Sequence, residues 1–333
     1  MLCVHDQSEL EAIEPGQCAG VIVHSLELLA EAKRRLDCSV GIILQARDSI
    51  EEDVEAHEWT PNLLIDSFKP QVRDAVRADA DFIYVRNAGT FRVLRAAVLA
   101  ITDISDICIF AELKVADDEG CLSDNVSVLS ALGVLQRIGV AGLLLRGDNA
   151  GELVDTLAEI APYAHISIGL CTDALAIEAY ADELPNLEFF VTDRADQLEA
   201  LHRAMPEIEE KDEPEEDPDY FLASDGDQAH FVDATIDISD PIDLTEQFGE
   251  TILDMEDEYS GAVKLEINSE EDVYFLAAYQ YMLTRAVCIS AEDPELMETA
   301  LRVFDGIAIY DGTWEIDPER LAYFRTKYGL IVL

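Results

Sequence analysis

Basic residues are scarce in this chain of 333 residues, where 22 Lys and Arg stand against 70 Asp and Glu and the formal net charge is −48. A surface this negative repels phosphate backbones and anionic lipid headgroups, so we expect no nucleic acid and no membrane among its partners. Hydrophobic residues nevertheless make up 49% of the chain. That much apolar surface can offset conformational entropy, which excludes an acidic disordered tail.

Long apolar runs and paired cysteines are missing too. The longest apolar runs, Ala96–Ile101 and Gly139–Leu145, are far shorter than the ~18 residues of a membrane-spanning helix. The first residues show no basic segment followed by an apolar one, so no secretory signal is expected. The seven cysteines are scattered and never form a C-x-x-C pair. We therefore predict reduced thiols in a cytoplasmic protein.

The sequence also lacks the usual signatures of cofactor and metal binding. It contains no G-x-x-x-x-G-K-[ST] and no G-x-G-x-x-G motif, and its six histidines are isolated. His5 and His24 end adjacent predicted strands, which would allow a ligand pair, but single histidines that are exposed or hydrogen-bonded are the simpler interpretation. Asp225-Gly226-Asp227 resembles part of a calcium loop but lacks the later Glu, which indicates a turn. We predict no metal and no cofactor.

What the chain does have is an almost unbroken alternation of short apolar runs and amphipathic segments. The runs are of buried-strand length, and the segments between them repeat apolar residues at i, i+3, i+4 and i+7. Continuous apolar strands, each followed by a helix, predict a parallel sheet covered on both faces. The predicted strands are Leu2–His5, Gly20–Val23, Val40–Leu44, Leu63–Ile65, Phe82–Val85, Ile107–Val115, Gly142–Leu145, Ile166–Leu170 and Phe189–Val191.

These nine runs are close to the eight strands of a closed barrel. The sequence therefore predicts an α/β fold in which a (β/α)8 TIM-like barrel, residues 1–205, is followed by a smaller α/β unit. An open doubly wound sheet is the alternative. An acidic, proline-rich linker spans residues 206–220, and residues 221–333 resume the strand–helix pattern. For that unit the pattern predicts five strands, beginning with Phe231–Ile238, and four helices, beginning with Leu244–Tyr259.

In both architectures ligands bind where the strands end, so residues at those positions are the candidate site. Glu112 and Lys114 lie two apart on one strand and so share a face, as a ligand-binding acid and base or as an ordinary ion pair. Arg86 and Arg146 would suit a carboxylate or phosphate ligand, or neutralise nearby acids. A nucleophilic Cys171 would need a base, and a buried thiol is the simpler interpretation. The full candidate set is Arg86, Asn87, Glu112, Lys114, Arg146, Cys171 and Asp193.

One stretch resembles a known family. Between Asp81 and Cys171 a strand precedes the helix Phe91–Ala100, Cys108–Val115 follows, and then come Asp117–Asp124, Ala131–Gly142, Gly151–Leu153 and Ile166–Cys171. Over about a quarter to a third of the chain this order is similar to the homocysteine S-methyltransferase family, which includes the homocysteine-binding barrel of methionine synthases. The resemblance implies a zinc-dependent barrel of methionine and one-carbon metabolism.

This sequence differs from that family at the positions of the cysteines that bind the metal. The family holds zinc with one cysteine in a G-x-N-C motif and two in a later G-G-C-C motif. Leu144-Leu145-Arg146-Gly147 stands where the first should lie, and no Cys-Cys pair occurs anywhere. Without thiolates there is no zinc to activate the homocysteine sulfur. The resemblance therefore implies a degenerate relative, or pseudoenzyme, that binds a small amino acid or carboxylate and accompanies a protein partner in methionine synthesis.

Two other functions remain open from the sequence. The chain could be a metal-free enzyme that acts on a small carboxylate or phosphate substrate through Glu112, Lys114, Arg146 and Asp193. It could instead be an acidic module that binds a basic protein surface. Binding of homocysteine or methionine supports the first interpretation, whereas salt-sensitive binding to basic partners supports the last.

Overall fold

A computed structural model describes residues 1–14, 16–46, 61–87, 89–116, 120–171, 187–204, 220–245, 247–254 and 260–333. The chain divides into two compact units. The first comprises 1–57, 64–124 and 140–214, and the second comprises 58–63, 125–139 and 215–333. The predicted linker, residues 206–220, lies outside the described residues except for Tyr220, so its boundaries stay a prediction. None of the described helices has the length and apolar character needed to cross a membrane.

The N-terminal strands form one parallel sheet of eight, paired in sequence order. The sheet closes because β1 also pairs with the end of β8. Cys3 N donates to Thr192 O at 2.8 Å, and Thr192 N donates to Met1 O at 3.2 Å. This closure confirms the predicted barrel and excludes the open doubly wound sheet. The strands are β1 Leu2–Val4, β2 Gly20–Val23, β3 Ser39–Ala46, β4 Phe82–Asn87, β5 Cys108–Lys114, β6 Gly142–Arg146, β7 Ser167–Cys171 and β8 Phe189–Val191.

Helices alternate with these strands, and most begin at a polar cap. Ser25, Ser127 and Asn149, for example, each accept a hydrogen bond from a backbone amide of the first turn of the helix that follows. The described helices of this part of the chain are α1 Gln7–Ala12, α2 Leu26–Arg35, α3 Pro61–Arg77, α4 Phe91–Thr102, α5 Val128–Arg137, α6 Ala150–Ile160 and α7 Leu198–Ala204. The helix predicted after Cys171 lies outside the described residues.

The predicted strand Leu63–Ile65 is wrong, because these residues lie in the first turns of α3. A three-residue apolar run fits a buried strand and a buried helix face equally well. Pro61 decides in favour of the helix, since a proline suits the first helical turn, where its missing N–H would have no partner anyway. Removing this strand from the predicted nine leaves the eight that the barrel contains.

Aromatic rings fill the N-terminal end of the barrel interior. Phe82 packs edge-on against Phe110 at 5.3 Å between ring centroids, and Phe110 packs against Phe189 at 5.4 Å. Each ring lies against a glycine of a neighbouring strand, where a Cβ would come within 2.2–2.6 Å of the ring. The glycines are Gly41 under Phe82, Gly142 under Phe110 and Gly169 under Phe189. We call these six residues the barrel floor.

The second unit is also built of strand–helix repeats. Five parallel strands pair in sequence order, and an antiparallel hairpin precedes them. The predicted strand Phe231–Ile238 is wrong, because Val232 ends the hairpin and a separate strand begins at Ile238. The elements are β9 Phe221–Ser224, β10 Ala229–Val232, β11 Ile238–Asp243, α8 Phe248–Asp254, β12 Ala262–Glu266, α9 Glu270–Tyr279, β13 Ala286–Ser290, α10 Pro294–Val303, β14 Ile309–Tyr310, α11 Pro318–Tyr328 and β15 Ile331–Val332.

Helix α5 belongs to this second unit by its contacts. The hydroxyls of Ser130 in α5 and Ser224 in β9 lie 2.7 Å apart. A Cβ on Gly133 would come within 2.8 Å of Leu222, so helix and hairpin pack closely. Between β9 and β10, the Asp225 carboxylate accepts hydrogen bonds from the amides of two following residues. This confirms the turn predicted at Asp225–Asp227.

Candidate ligand site at the barrel mouth

Four charged side chains meet where the barrel strands end, a face that we call the mouth. Arg86 lies near the end of β4, Glu112 in β5, Arg146 at the end of β6 and Asp193 two residues beyond β8. Arg86 and Glu112 are register partners. Because parallel strands deliver their C-terminal ends to one face, residues far apart in the sequence converge there. We call these four residues the charged quartet.

Each guanidinium of the charged quartet lies near both carboxylates. Arg86 Nε is 3.6 Å from Glu112 Oε2, and Arg86 Nη2 is 3.6 Å from Asp193 Oδ1. Arg146 Nη1 is 3.5 Å from Glu112 Oε2, and Arg146 Nη2 is 3.6 Å from Asp193 Oδ2. Hydrogen bonds of this kind are about 2.7–3.2 Å long. The arginines and carboxylates therefore attract each other without forming the close hydrogen bonds of a saturated salt bridge.

Two polar atoms of the charged quartet are buried and form no hydrogen bond, namely Arg86 Nε and Asp193 Oδ1. Such an atom costs about 1–3 kcal/mol, so it calls for an explanation in a native structure. The side chains of Arg86 and Glu112 are 16% and 2% exposed, whereas those of Arg146 and Asp193 are 35% and 33% exposed. The charged quartet thus has a buried inner half and an outer half that solvent reaches.

Both arginines are held in the charged form. Burial alone would lower the pKa of Arg86, but the negative groups around it, Glu112 first, outweigh that effect and raise the pKa. Burial likewise opposes the charge of Arg146, and Cys171 and Glu112 raise its pKa. A guanidinium presents a planar fork of donors that matches a carboxylate or a phosphate. The mouth therefore offers two permanent cations to an anionic group.

Tyr84 holds the inner carboxylate in place from below. Its buried hydroxyl donates a hydrogen bond to Glu112 Oε2, the same oxygen that faces both guanidinium groups. Burial, and then the Glu112 charge, raise the pKa of Tyr84 well above its ordinary value, so the hydroxyl stays a donor. The guanidinium of Arg86 also lies over the Tyr84 ring, 5.8 Å from its centroid.

Two cysteines line the same region, and both are protonated thiols at neutral pH. Burial, followed by the Glu112 charge, raises the pKa of Cys171 to about 12. Burial and then Asp193 raise the pKa of Cys3 as well. Arg86 Nη2 lies 3.6 Å from Cys3 Sγ. A nucleophilic cysteine needs a lowered pKa, so the environment of these thiols favours packing over chemistry.

The two histidines that end adjacent predicted strands lie together at the mouth. The rings of His5 and His24 stack with centroids 4.5 Å apart. His5 Nε2 lies 3.8 Å from Asp193 Oδ1. Burial, then the neighbouring His5 and Arg86, lower the pKa of His24. Within the described part of the chain, no three His, Cys, Asp or Glu side chains are grouped so that they could hold a metal ion.

Of the seven candidate residues, the structure brings five together: Arg86, Glu112, Arg146, Cys171 and Asp193. Lys114 shares a strand with Glu112 but is exposed, and the ion pairs of Glu112 run to the two arginines instead. Asn87 ends β4, and its side chain lies outside what the structure describes. That these residues form a binding site remains a prediction. The structure defines the geometry of the five that lie together.

Sequence reasoning missed Tyr84 and Cys3. The sequence could have indicated both. Tyr84 lies two residues before Arg86, and Cys3 lies two residues before His5. A two-residue step keeps a side chain on the same face of a strand. Including the residue two positions before each candidate would have placed both Tyr84 and Cys3 in the barrel interior. They belong to a buried cluster there that also contains Ile22, Leu144, Cys171 and Val191.

Comparisons with known proteins give no family. No protein-family model matches the chain, and no curated protein matches it. Among solved structures, the apo form of the homocysteine methyltransferase MmuM from Escherichia coli matches at 11% identity and a TM-score of 0.47. That match covers 61% of this chain and 95% of the other.

N-acetylneuraminate lyase from Mycoplasma synoviae matches in two crystal forms, each at 12% identity. Form I gives a TM-score of 0.38 over 56% of this chain and 62% of the other, and form II gives 0.37 over 86% and 85%. The assignment of a TIM-like barrel therefore rests on the strand order and closure of this chain itself.

Proposed function

We propose that the mouth of the barrel binds a small ligand that carries both a carboxylate and an ammonium group, which is the chemistry of an amino acid. The observation that carries the proposal is the pair of buried, unpaired atoms in the charged quartet, Arg86 Nε and Asp193 Oδ1. One is a cationic donor and the other an anionic acceptor. A ligand carboxylate suits the guanidinium groups and a ligand ammonium suits Asp193, because charge-assisted hydrogen bonds are the stronger ones.

The residues of the mouth do not fit a zinc-thiolate site. The chain has no Cys-Cys pair, and among the described residues no three His, Cys, Asp or Glu side chains are grouped so that they could hold a metal ion. We therefore infer a homocysteine S-methyltransferase-like barrel that retains an amino-acid site without zinc-dependent methyl transfer. Homocysteine and methionine are the ligands we favour, and a binding or regulatory role beside a protein partner in methionine synthesis is the role we propose.

Isothermal titration calorimetry tests this proposal with ligands that differ in one charge. We expect homocysteine and methionine to bind, and the analogues 4-(methylthio)butanoate and 3-(methylthio)propylamine, which each lack one charge, to bind at least about tenfold more weakly, since a lost charge-assisted pair costs about 1.5–3 kcal/mol. Inorganic phosphate is the fifth titrant. Equal binding of phosphate or butanoate would overturn the proposal in favour of an anion site, and no heat from any titrant would overturn it in favour of an interaction module.

Variants show whether the charged quartet is the site. Arg146→Gln removes an outer guanidinium and should weaken methionine binding about tenfold or more, for the reason just given. The matched control is Arg34→Gln, an exposed arginine of α2 that pairs with Glu31, and it should leave the affinity unchanged. Equal affinities of the two variants would place the binding site elsewhere.

A further inference from the structure

The stacked pair of His5 and His24 has no part in the function proposed so far. His5 follows β1 and His24 follows β2, so both rings lie at the mouth. His5 is 44% exposed, and its Nε2 lies 3.8 Å from Asp193 Oδ1. That oxygen is the same buried acceptor that forms no hydrogen bond. A titratable cation donor therefore stands beside the atom to which we assign the ligand ammonium.

The charged groups around the pair come from helix α1 and its N-cap, from β4 and from the segment after β8. Glu9 of α1 accepts a hydrogen bond from the His5 amide at 2.7 Å, and Asp6 precedes that helix. Arg86 faces the pair from β4, and Asp193 faces it from beyond β8. Burial, then His5 and Arg86, lower the pKa of His24, while Asp193 and Glu9 act in the opposite direction. Stacking two rings that both carry a charge is unfavourable, because like charges repel.

We propose, on the basis of the proposed function, that the His5–His24 pair couples ligand binding to protons and selects an ammonium-bearing ligand over a plain anion. With neutral rings, Asp193 Oδ1 is available to the ligand ammonium. A proton on His5 places a positive charge 3.8 Å from that oxygen, where it competes with the ammonium and repels it. The same proton attracts a ligand that carries only a carboxylate.

The two ligand classes should therefore respond to pH in opposite directions. An ammonium-bearing ligand binds the unprotonated pair, so its affinity is highest where both rings are neutral and falls as the pH decreases, by at most about tenfold per pH unit for one displaced proton. A plain carboxylate binds the protonated pair better, so its affinity rises over the same range. His5 and His24 are specificity-determining residues in this mechanism.

Calorimetric titrations of methionine and 4-(methylthio)butanoate at about pH 5.5 and pH 7.5 test this, since that range spans the titration of an ordinary imidazole. In the wild-type protein we expect methionine to bind about three- to tenfold more weakly at the lower pH and the butanoate to bind more tightly. His5→Gln should remove most of both changes, and His24→Gln should reduce them. His202→Gln, which changes an exposed side chain of α7, is the matched control and should behave as wild type.

The outcomes separate this inference from the proposed function. If methionine binds at neither pH, the proposed function fails. If methionine binds but His5→Gln and His24→Gln keep the wild-type pH profile, only the proton coupling is overturned. The same holds if the affinities of methionine and the butanoate change in the same direction. Circular dichroism of each variant at both pH values shows that the compared proteins are folded.

Discussion

At the scale of single residues, the inner half of the charged quartet depends on Tyr84. Its hydroxyl donates to a Glu112 carboxylate that is almost fully buried. A buried carboxylate that loses a donor bears a desolvation cost, which the guanidinium groups 3.5–3.6 Å away offset only in part. The contact also fixes the position of the oxygen that both arginines face, so it links the stability of the barrel to the geometry of the mouth.

Tyr84→Phe removes this one donor and keeps the ring. We expect the free energy of unfolding to fall by about 1–3 kcal/mol, because the buried carboxylate is left with an unmet acceptor. Urea denaturation measures the change. The matched control is Tyr274→Phe in α9, where the side chain is 61% exposed, and it should change stability by less than about 0.5 kcal/mol. A Tyr84→Phe protein as stable as the control would mean that the hydroxyl contributes nothing.

The thiols of Cys3 and Cys171 should resist alkylation in the native protein. With a pKa of about 12, Cys171 is almost entirely protonated at pH 8, and the thiolate is the form that reacts. Its reactivity should rise only as the pH approaches that value. Iodoacetamide labelling followed by peptide mass spectrometry measures this, and the exposed Cys108 is the internal reference. Labelling of Cys171 at the rate of Cys108 would show a thiolate in the mouth.

The candidate site was predictable where a charged residue ends an apolar strand, as with Arg146 and Asp193. The depth of a residue along its strand was not predictable. Glu112 and Lys114 share a face by the two-residue period, yet one is buried and the other exposed. The difference arises because neighbouring strands cover Glu112, whose register partners are Arg86 and Leu144. Register of this kind comes from packing over the whole sheet.

At the scale of elements, the barrel floor shows how neighbouring strands share volume. A large ring on one strand occupies the space that a Cβ would need on the neighbouring strand, so each of the three phenylalanines lies beside a glycine. Barrel interiors are filled in layers of side chains, and such layers tolerate little added volume. The glycines here serve close packing rather than an unusual backbone conformation, since none of the three has a positive φ.

Gly41→Ala places a Cβ within 2.2 Å of the Phe82 ring. We expect a loss of about 1–3 kcal/mol in the free energy of unfolding, because the ring must leave its position. Thermal and urea unfolding measure it. If the clash is the cause, the double variant Gly41→Ala/Phe82→Leu should lose less than the sum of the two single variants. Strictly additive losses would show that the two positions are not in contact.

Whether a segment forms a helix or a strand was predictable where its apolar spacing was long and regular. The prediction failed where an apolar run was short. Leu63–Ile65 has the composition of a strand, but Pro61 and the apolar spacing that follows make it the start of α3. The sequence predicted a closed barrel, but an open doubly wound sheet remained the alternative. Alternating strands and helices occur equally in open sheets and barrels, and the pairing of β1 with β8 leaves no local pattern in the sequence.

At the scale of the whole molecule, the net charge of −48 opposes compaction. Like charges spread over the surface repel one another, and folding brings them closer together. Ion pairs such as Lys33 with Asp79 and Asp81 offset little of this, because exposed pairs contribute only about 0–1 kcal/mol. The charged quartet is partly buried, so salt screens it less than it screens the surface.

Added NaCl should therefore stabilise the protein. We expect the urea midpoint to rise most between about 0.01 M and 0.15 M salt, where the screening length falls from about 30 to about 8 Å. An equal osmolarity of a neutral sugar is the control for effects other than screening. A midpoint that falls with NaCl would mean that favourable charge pairs outweigh the surface repulsion.

The hydrogen bonds from Cys3 to Thr192 and from Thr192 back to Met1 also set the order in which the barrel assembles. Local strand–helix–strand pieces can form as soon as their own residues are available. The barrel cannot close until residue 192 has left the ribosome, because closure requires the two seam strands, β1 and β8, to pair. Until then both seam strands keep unsatisfied backbone groups, which are sites for wrong pairing. We expect slow, late closure, and a chain shortened before β8 would present that open edge to chaperones.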